Sequence, residues 1–376
     1  MPAIRSSTPD QYYIGVMSGT SLDGLDLVVV DLSHQPRSLF HHHLEYDVTA
    51  RADMLALCEN QQFTLENLMS ADANLGQLIA LGVEQLLAKA GLNPDQICAI
   101  GSHGQTIRHC PPSDPSQPGT TLQIGDPNTI ATRTGIPVVA DFRRANLANG
   151  GHGAPLAPAF HATAFSGENA RAIVNIGGIA NITVLKANDV LLGFDSGPGN
   201  VLMDAWIGLH HHKSFDEDGS WATQGTVDSD LLATLNAHPF FKLTPPKSTG
   251  REQFNLRWLL ETLQNHSTTS ERDVQATLLE FTATSITTGT MLASPTIGEV
   301  FVCGGGAYNT ALMKRLSDLM PNQIVRSTNG LGIAPDLVEC CAFAWFAQQT
   351  LAGTAVPIIS FAGGAKESVM GGIFYP

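Results

Sequence analysis

Short runs of Val, Ile and Leu recur along the chain, each ended by a polar corner rich in glycine, and this alternation predicts an α/β protein. Residues 12–32 read as strand, turn, strand, with two apolar runs flanking Ser18-Gly19-Thr20-Ser21-Leu22-Asp23-Gly24. Residues 171–206 repeat the design: Ala172 to Ile176 and Asn181 to Leu185 flank a Gly177-Gly178 turn, a hairpin whose backbone, lacking Cβ atoms, can press close to a phosphate. A tight corner from Gly193 to Asn200 then leads into the apolar helical opening Val201 to Trp206. Asp195 is thereby placed at a strand end before a helix N-terminus, where the corner fixes a carboxylate and nearby amides can receive an anion.

Helical spacing of apolar residues over 52–90 predicts two or three packing helices stopped by Gly91 and Pro94. A buried strand at 97–100 runs into Gly101-Ser102-His103-Gly104-Gln105-Thr106, and another at 137–140 runs into Asp141-Phe142-Arg143-Arg144. Polar residues at strand ends suit ligand contact, which makes Gln105 and Thr106 substrate candidates and His103 a hydrogen-bonded structural histidine. The Asp and two arginines are either a solvated ion pair or a site for an anionic group. Residues 149–155 are too rich in glycine for an element interior and read as a hinge into the second half. Residues 215–221 read as an acidic surface segment. Lys247 and Arg251, within loop 244–252, have the chemistry to meet phosphate, but a solvated loop is the favoured reading. A strand at 299–303 passes through Gly304-Gly305-Gly306-Ala307-Tyr308-Asn309 into a helix, so a flat ring or a phosphate can lie on bare backbone there. No GxGxxG is present, which disfavours NAD. The apolar helix expected at 337–351 carries a lone Glu339 near its start.

Composition narrows the field. A length of 376 residues exceeds what one core usually holds, so two α/β domains are expected, 1–145 and 146–376, with the last helix and tail able to pack back on the first. A formal charge of −14 disfavours a broad surface for nucleic acid or anionic membrane, leaving small molecules as the expected ligands. Six scattered cysteines without CxxC spacing suit buried, reduced thiols. The triplets His41-His42-His43 and His210-His211-His212 lack spaced partners for a metal and read as solvated loops. With no apolar leader and no long apolar run, the expected location is the cytoplasm.

Taken in order, MSGTSLDG, GSHGQT, QIGD, ADFRR, GAPL, NIGGIAN, GPGNVLMDAW, PKSTGRE, VQATLLE and CGGGAYN span most of the chain. Two glycine hairpins and a glycine loop resemble the actin, Hsp70 and sugar-kinase superfamily, a two-domain, ribonuclease H-like α/β fold with an interdomain nucleotide cleft. The ten ordered motifs are similar, more narrowly, to the anhydro-N-acetylmuramic acid kinase family. That resemblance implies an ATP-dependent, Mg²⁺-requiring kinase of peptidoglycan recycling. It hydrolytically opens the ring of 1,6-anhydro-N-acetylmuramic acid and phosphorylates O6, giving N-acetylmuramic acid 6-phosphate and ADP. Rival readings are a kinase for another small sugar and an actin-like or chaperone-like nucleotide-driven binding protein.

By the same resemblance, ATP contacts fall on Gly19, Thr20, Ser21, Leu22, Asp23, Gly24, Leu25 and Asp26. The later glycine turns, Gly177, Gly178, Gly304, Gly305 and Gly306 with Asn309, complete the nucleotide set. Asp23 is the candidate for holding Mg²⁺ through water. Asp195 matches the family's catalytic Asp, Glu339 faces the sugar, and Arg143 or Arg144 meets its lactyl carboxylate. A homodimer is implied. Ala145, Asn146 and His152 depart from the pattern of many relatives, so no substrate role is assigned to them.

Overall fold

The computed structural model describes residues 11–19, 22, 24–58, 63–112, 117, 119–186, 189–245, 247–294 and 296–376. The chain divides into two units, Met1–Ala164 with Leu337–Pro376, and Phe165–Asp336. The division thus falls later than the 145/146 boundary expected from sequence, and the last helix and tail belong to the first unit. Residues 149–155, expected as a hinge, lie within that unit and are laced to its C-terminal tail. Gly151 forms a β-bridge with Gly363, the His152 N–H donates to the Ala362 carbonyl at 2.7 Å, and the Asn146 side chain bonds both Gly363 O and Gly153 N.

The first unit is built on a six-stranded sheet. Its strands are β1 (Tyr12–Ser18), β2 (Gly24–Asp31), β3 (Arg37–Glu45), β4 (Ile97–Ser102), β7 (Val138–Ala140) and β13 (Gly372–Phe374); β5 (Gln105–Cys110) and β6 (Thr120–Ile124) form a separate hairpin. The order is β13-β7-β4-β1-β2-β3, with β1, β2 and β3 antiparallel and β1, β4 and β7 parallel. Leu75, Ile79, Val83 and Leu86 of the helix Leu65–Ala90 pack with Ile14, Val16, Leu27 and Ile100 in one core cluster. The helix Val338–Leu351 presses so closely on the sheet that a Cβ at Gly15 would collide with the Cys340 carbonyl, and one at Gly101 with that of Phe343. Glycine at both positions is what lets the two backbones approach. The first histidine triplet lies within β3, and His210 and His211 lie in the helix Val201–His211, so neither triplet forms the loop expected of it.

The second unit carries β8 (Arg171–Ile176), β9 (Ile179–Lys186), β10 (Asp189–Pro198), β11 (Glu299–Cys303) and β12 (Ile324–Ser327) in the order β10-β9-β8-β11-β12. Strands β8, β9 and β10 are antiparallel, and β8, β11 and β12 are parallel. Counted within each sheet, both units place their first five strands third, second, first, fourth, fifth, the duplication the superfamily resemblance implies, and β13 is added at the edge of the first. Leu278, Phe281 and Ile286 of the helix Glu271–Ala293 share a core with Val174, Ile182 and Phe194. Among the described residues no helix is long and apolar enough to cross a membrane.

Candidate active site

The expected site residues fall into two groups, one on each unit. In the first unit the β1–β2 hairpin carries Gly19, Leu22, Gly24, Leu25 and Asp26; Thr20, Ser21 and Asp23, expected at the same tip, lie outside the described residues. Leu22 is a buried non-glycine residue in left-handed backbone, φ 54°, so the tip adopts a conformation that ordinary hairpin turns avoid for leucine. The Leu25 side chain is fully buried, which leaves only its backbone for a ligand. Asp26 pairs with His43 at 2.7 Å, both side chains over a third exposed. Gln105, expected as a substrate contact, is engaged within the protein. It is buried, its Oε1 accepts from Ser18 Oγ at 2.5 Å and its Nε2 donates to Thr106 O at 3.2 Å. Thr106 is half-buried, its Oγ1 accepting from Gln123 Nε2.

Arg143 and Arg144 open the short helix Phe142–Ala148 instead of ending a strand. They have different surroundings. Arg144 is exposed and pairs with Asp141 at 3.2 Å. Arg143 donates from Nε to His103 Nε2 at 3.0 Å and from Nη1 to the Gly153 carbonyl at 2.8 Å. The other His103 nitrogen, Nδ1, lies 2.9 Å from the Gly104 carbonyl, so Nδ1 carries the proton and Nε2 the lone pair. Burial, then the charge of Arg143, keep His103 neutral well below the usual histidine range. Burial also pulls Arg143 down to about 10, an effect the Glu339 carboxylate opposes. Glu339, in the first turn of the helix Val338–Leu351, is pushed up by burial and by Asp26, with Arg143 acting the other way.

In the second unit Gly177 and Gly178 form the β8–β9 turn, and their carbonyls tie down the corner that follows β10. Gly199 N–H and Val201 N–H both donate to Gly178 O, and Asn200 N–H donates to Gly177 O at 2.8 Å. These three amides are therefore engaged, contrary to the expectation that the corner would offer them to an anion. Asp195 lies in β10, opposite Asn181. Its N–H donates to Lys247 O and its Oδ2 accepts from Thr249 N–H, both at 2.9 Å. Lys247 is itself fixed, with Nζ 3.3 Å from Phe240 O and 4.3 Å from the Phe240 ring centroid. Burial raises the Asp195 carboxyl to about 6; the Thr249 N–H lowers it and the Glu252 charge raises it further.

A second pair of carboxylates follows in the chain. Asp204, in the first turn of the helix Val201–His211, is raised by burial to about 7, against the lowering effect of Arg251 and with a further push from Asp216. Asp216 was expected on an acidic surface. It is buried and accepts from Trp221 N, Ala222 N and Gln275 Nε2. After β11, Gly304 takes φ 77° and donates its N–H to Pro335 O, while a Cβ at Gly305 would meet nothing nearer than Asn200 Nδ2 at 3.7 Å. Asn309 Oδ1 caps the helix Thr310–Leu319 through Leu312 N–H.

The profile of the anhydro-N-acetylmuramic acid kinase family matches residues 11–376. The chain belongs to this family. It is 48% identical over 367 residues to the anhydro-N-acetylmuramic acid kinase of Shewanella sp. (strain MR-4), covering 96% of this chain and 98% of the relative. The family's enzyme from Shewanella baltica (strain OS223) gives the same identity and coverage. Among solved structures, the chain is similar to an activator of 2-hydroxyisocaproyl-CoA dehydratase from Clostridium difficile with bound ADPNP, at a TM-score of 0.48 and 12% identity over 90% of this chain and 94% of that one. A ROK family glucokinase from Streptomyces griseus in complex with glucose and AMPPNP gives 0.41 and 12% over 90% and 99%.

Sequence reasoning missed Thr249 and Lys247 as holders of Asp195 and His103 as a holder of Arg143. The family motif PKSTGRE contained the signal for the first two, but a loop without periodicity looks the same in sequence whether it is solvated or docked on a strand.

Proposed function

We infer that the chain phosphorylates 1,6-anhydro-N-acetylmuramic acid at O6 from ATP while opening its anhydro ring with water. The observation that carries this reading is Asp195: in a chain matched to the family over residues 11–376, a carboxylate within β10 is held by one backbone N–H and raised to about 6. Such a group is ionised at neutral pH yet basic enough to take a proton. Asp195 removes a proton from the water attacking C1, the C1–O6 bond breaks, and O6 takes the γ-phosphoryl group as ADP leaves. The proton on Asp195 is then lost to solvent.

For the nucleotide we propose the backbone of Gly19, Leu22, Gly24 and Leu25, the Asp26 carboxylate, Gly177, Gly178, the Gly304 to Gly306 loop and Asn309, together with Thr20, Ser21 and Asp23. The open space at Gly305, and at Gly177, where a Cβ would come only within 3.8 Å of Ile179 O, fits a ligand lying on bare backbone. Mg²⁺ bound with ATP would neutralise phosphate charge, and oxygen donors such as Asp23 through water, or Asp26, suit so hard a cation. For the sugar we propose Thr106, Arg143, Arg144 and Glu339, with Gln105 acting through the Ser18 and Thr106 contacts it makes. Function as a cytoplasmic homodimer completes the proposal, and sedimentation of the purified protein tests the oligomer.

The deciding experiment offers labelled ATP with a panel of acceptors in heavy-oxygen water. Phosphate should pass to the anhydro sugar, with heavy oxygen at the anomeric hydroxyl and none in the ester bridge. Transfer to another sugar in preference, or ATP turnover indifferent to acceptor, would remove this assignment.

A further inference from the structure

The corner between β10 and the helix Val201–His211 raises a question of charge. The amides of Gly199, Asn200 and Val201 are bonded to the Gly177 and Gly178 carbonyls, so these three are taken before any phosphate arrives. Yet the transferring phosphoryl group spreads charge over three equatorial oxygens and needs a cationic partner. One side-chain cation lies directly on this hairpin. The exposed Arg251 covers the open face of Gly178, its Nη2, Nε and Cζ lying 3.2, 3.4 and 3.7 Å from the point a Cβ would occupy. A side chain at position 178 would displace it.

Arg251 is also indexed to Asp195. Thr249, two residues earlier, donates its N–H to the Asp195 carboxylate, and Lys247 accepts from Asp195 N–H. The loop is clamped at its start by Lys247 on Phe240 and at its end by Asn255 Nδ2, which donates to Arg251 O at 2.9 Å. A single loop therefore fixes both the group that takes the water proton and a guanidinium beside the glycine turn.

We propose that Arg251 contacts the transferring phosphoryl group and stabilises its charge during transfer from ATP to O6. This role rests on the kinase reading above. It explains why the loop that holds the base also carries an arginine. An arginine serves here better than lysine because its planar fork can bond two phosphoryl oxygens at once.

The test compares wild type with Arg251→Met and Arg251→Lys, using Mg²⁺, the anhydro sugar, and either ADP alone or ADP with aluminium fluoride. Both variants should lose at least ~10²-fold in kcat, in line with removal of a charge-stabilising donor. ADP affinity should stay within about threefold, while the added tightness of ADP with aluminium fluoride over ADP alone should shrink by at least ~10-fold. Arg251→Ala should regain activity with guanidinium ion and not with ethylammonium. A purely structural arginine predicts a different pattern: equal losses for ADP and ADP with aluminium fluoride, and no guanidinium rescue. That pattern, or a kcat within about fivefold of wild type in Arg251→Met, would overturn the proposal. The two readings fail separately: wild type that ignores the anhydro sugar sinks the functional assignment, whereas the aluminium fluoride comparison reads Arg251 without turnover.

Discussion

The two units lay out their strands alike but differ in what they bury beside them. In the first, the charged group drawn inward is a cation: the half-buried Arg143, with Nε on a neutral His103 and Nη1 on the Gly153 carbonyl, beside Glu339. In the second, the corresponding groups are carboxylates, Asp195, Asp204 and Asp216, gathered around β10 and the helix after it. A buried guanidinium cannot give up its proton near neutral pH and so is suited to holding charge in place. A buried carboxylate with a raised pKa is suited to taking a proton. A shared strand order thus carries no chemistry by itself; the side chains set at the strand ends supply it.

The sharpest test of that contrast is Asp195→Asn. The amide keeps size and can still accept from Thr249 N–H, but it cannot take a proton, so turnover should fall ~10²–10⁴-fold with binding of the sugar and ATP largely intact. In wild type the ionised carboxylate is the working form, so kcat/KM should decline as pH drops through about 6, where Asp195 takes up its proton. A variant retaining wild-type turnover, or a profile flat to pH 4, would take the base role away from Asp195.

How much of this was legible in the sequence depends on whether a feature was local. The two glycine hairpins, the strand before Gly304 and the apolar helix bearing Glu339 all follow from periodicity and glycine placement, and the structure has them. The unit boundary did not: residues 146–164 stay with the first unit, where Gly151 bridges Gly363 and His152 bonds Ala362, contacts between segments more than two hundred residues apart. Nor did the state of the polar groups. In sequence Gln105 looks like a ligand contact and Asp216 like a surface residue, and only the fold turns them inward onto Ser18 and onto the Trp221 and Ala222 amides.

Adjacent glycines in the Gly304 to Gly306 loop sharpen the nucleotide half of the comparison. A Cβ at Gly305 points into open space, whereas one at Gly306 would collide with the Ile176 side chain. Gly305→Val should therefore fold normally and weaken ATP binding by at least ~10-fold, since the added branch occupies the proposed ligand volume. Gly306→Val should lower the melting temperature instead. Equal nucleotide affinity in wild type and a folded Gly305→Val would place the ligand elsewhere.

Stability should move opposite to activity at the carboxylates. Folded Asp195 and Asp204 titrate near about 6 and about 7, above the 3.8 of an ordinary Asp. A raised carboxyl favours the folded state fully below the unfolded value and loses that contribution as pH rises through the folded one. At pH 8 both groups are charged at a cost, so Asp195→Asn and Asp204→Asn should each be more stable than wild type, by on the order of 1–3 kcal/mol once solvent screening is allowed for. At pH 4 the gain should vanish. Melting curves at the two pH values check this, and a gain at pH 4 that is absent at pH 8 would reverse the sign argued here.

The smallest effect separates the two neighbouring arginines. Arg144 and Asp141 form an exposed pair, with 57% and 39% of their side-chain surfaces open to water. Solvent screening leaves such pairs worth ~0–1 kcal/mol, so Arg144→Ala should change unfolding free energy by no more than about 0.5 kcal/mol. Arg143→Ala has a different physical consequence: His103 Nε2 and Gly153 O lose their donor while buried, and Glu339 loses the charge that opposes its protonation. The first variant can therefore report on the sugar without disturbing the fold. If Arg144 meets the lactyl carboxylate, KM for the anhydro sugar rises in Arg144→Ala while kcat and the melting temperature hold; an unchanged KM would assign that carboxylate to Arg143.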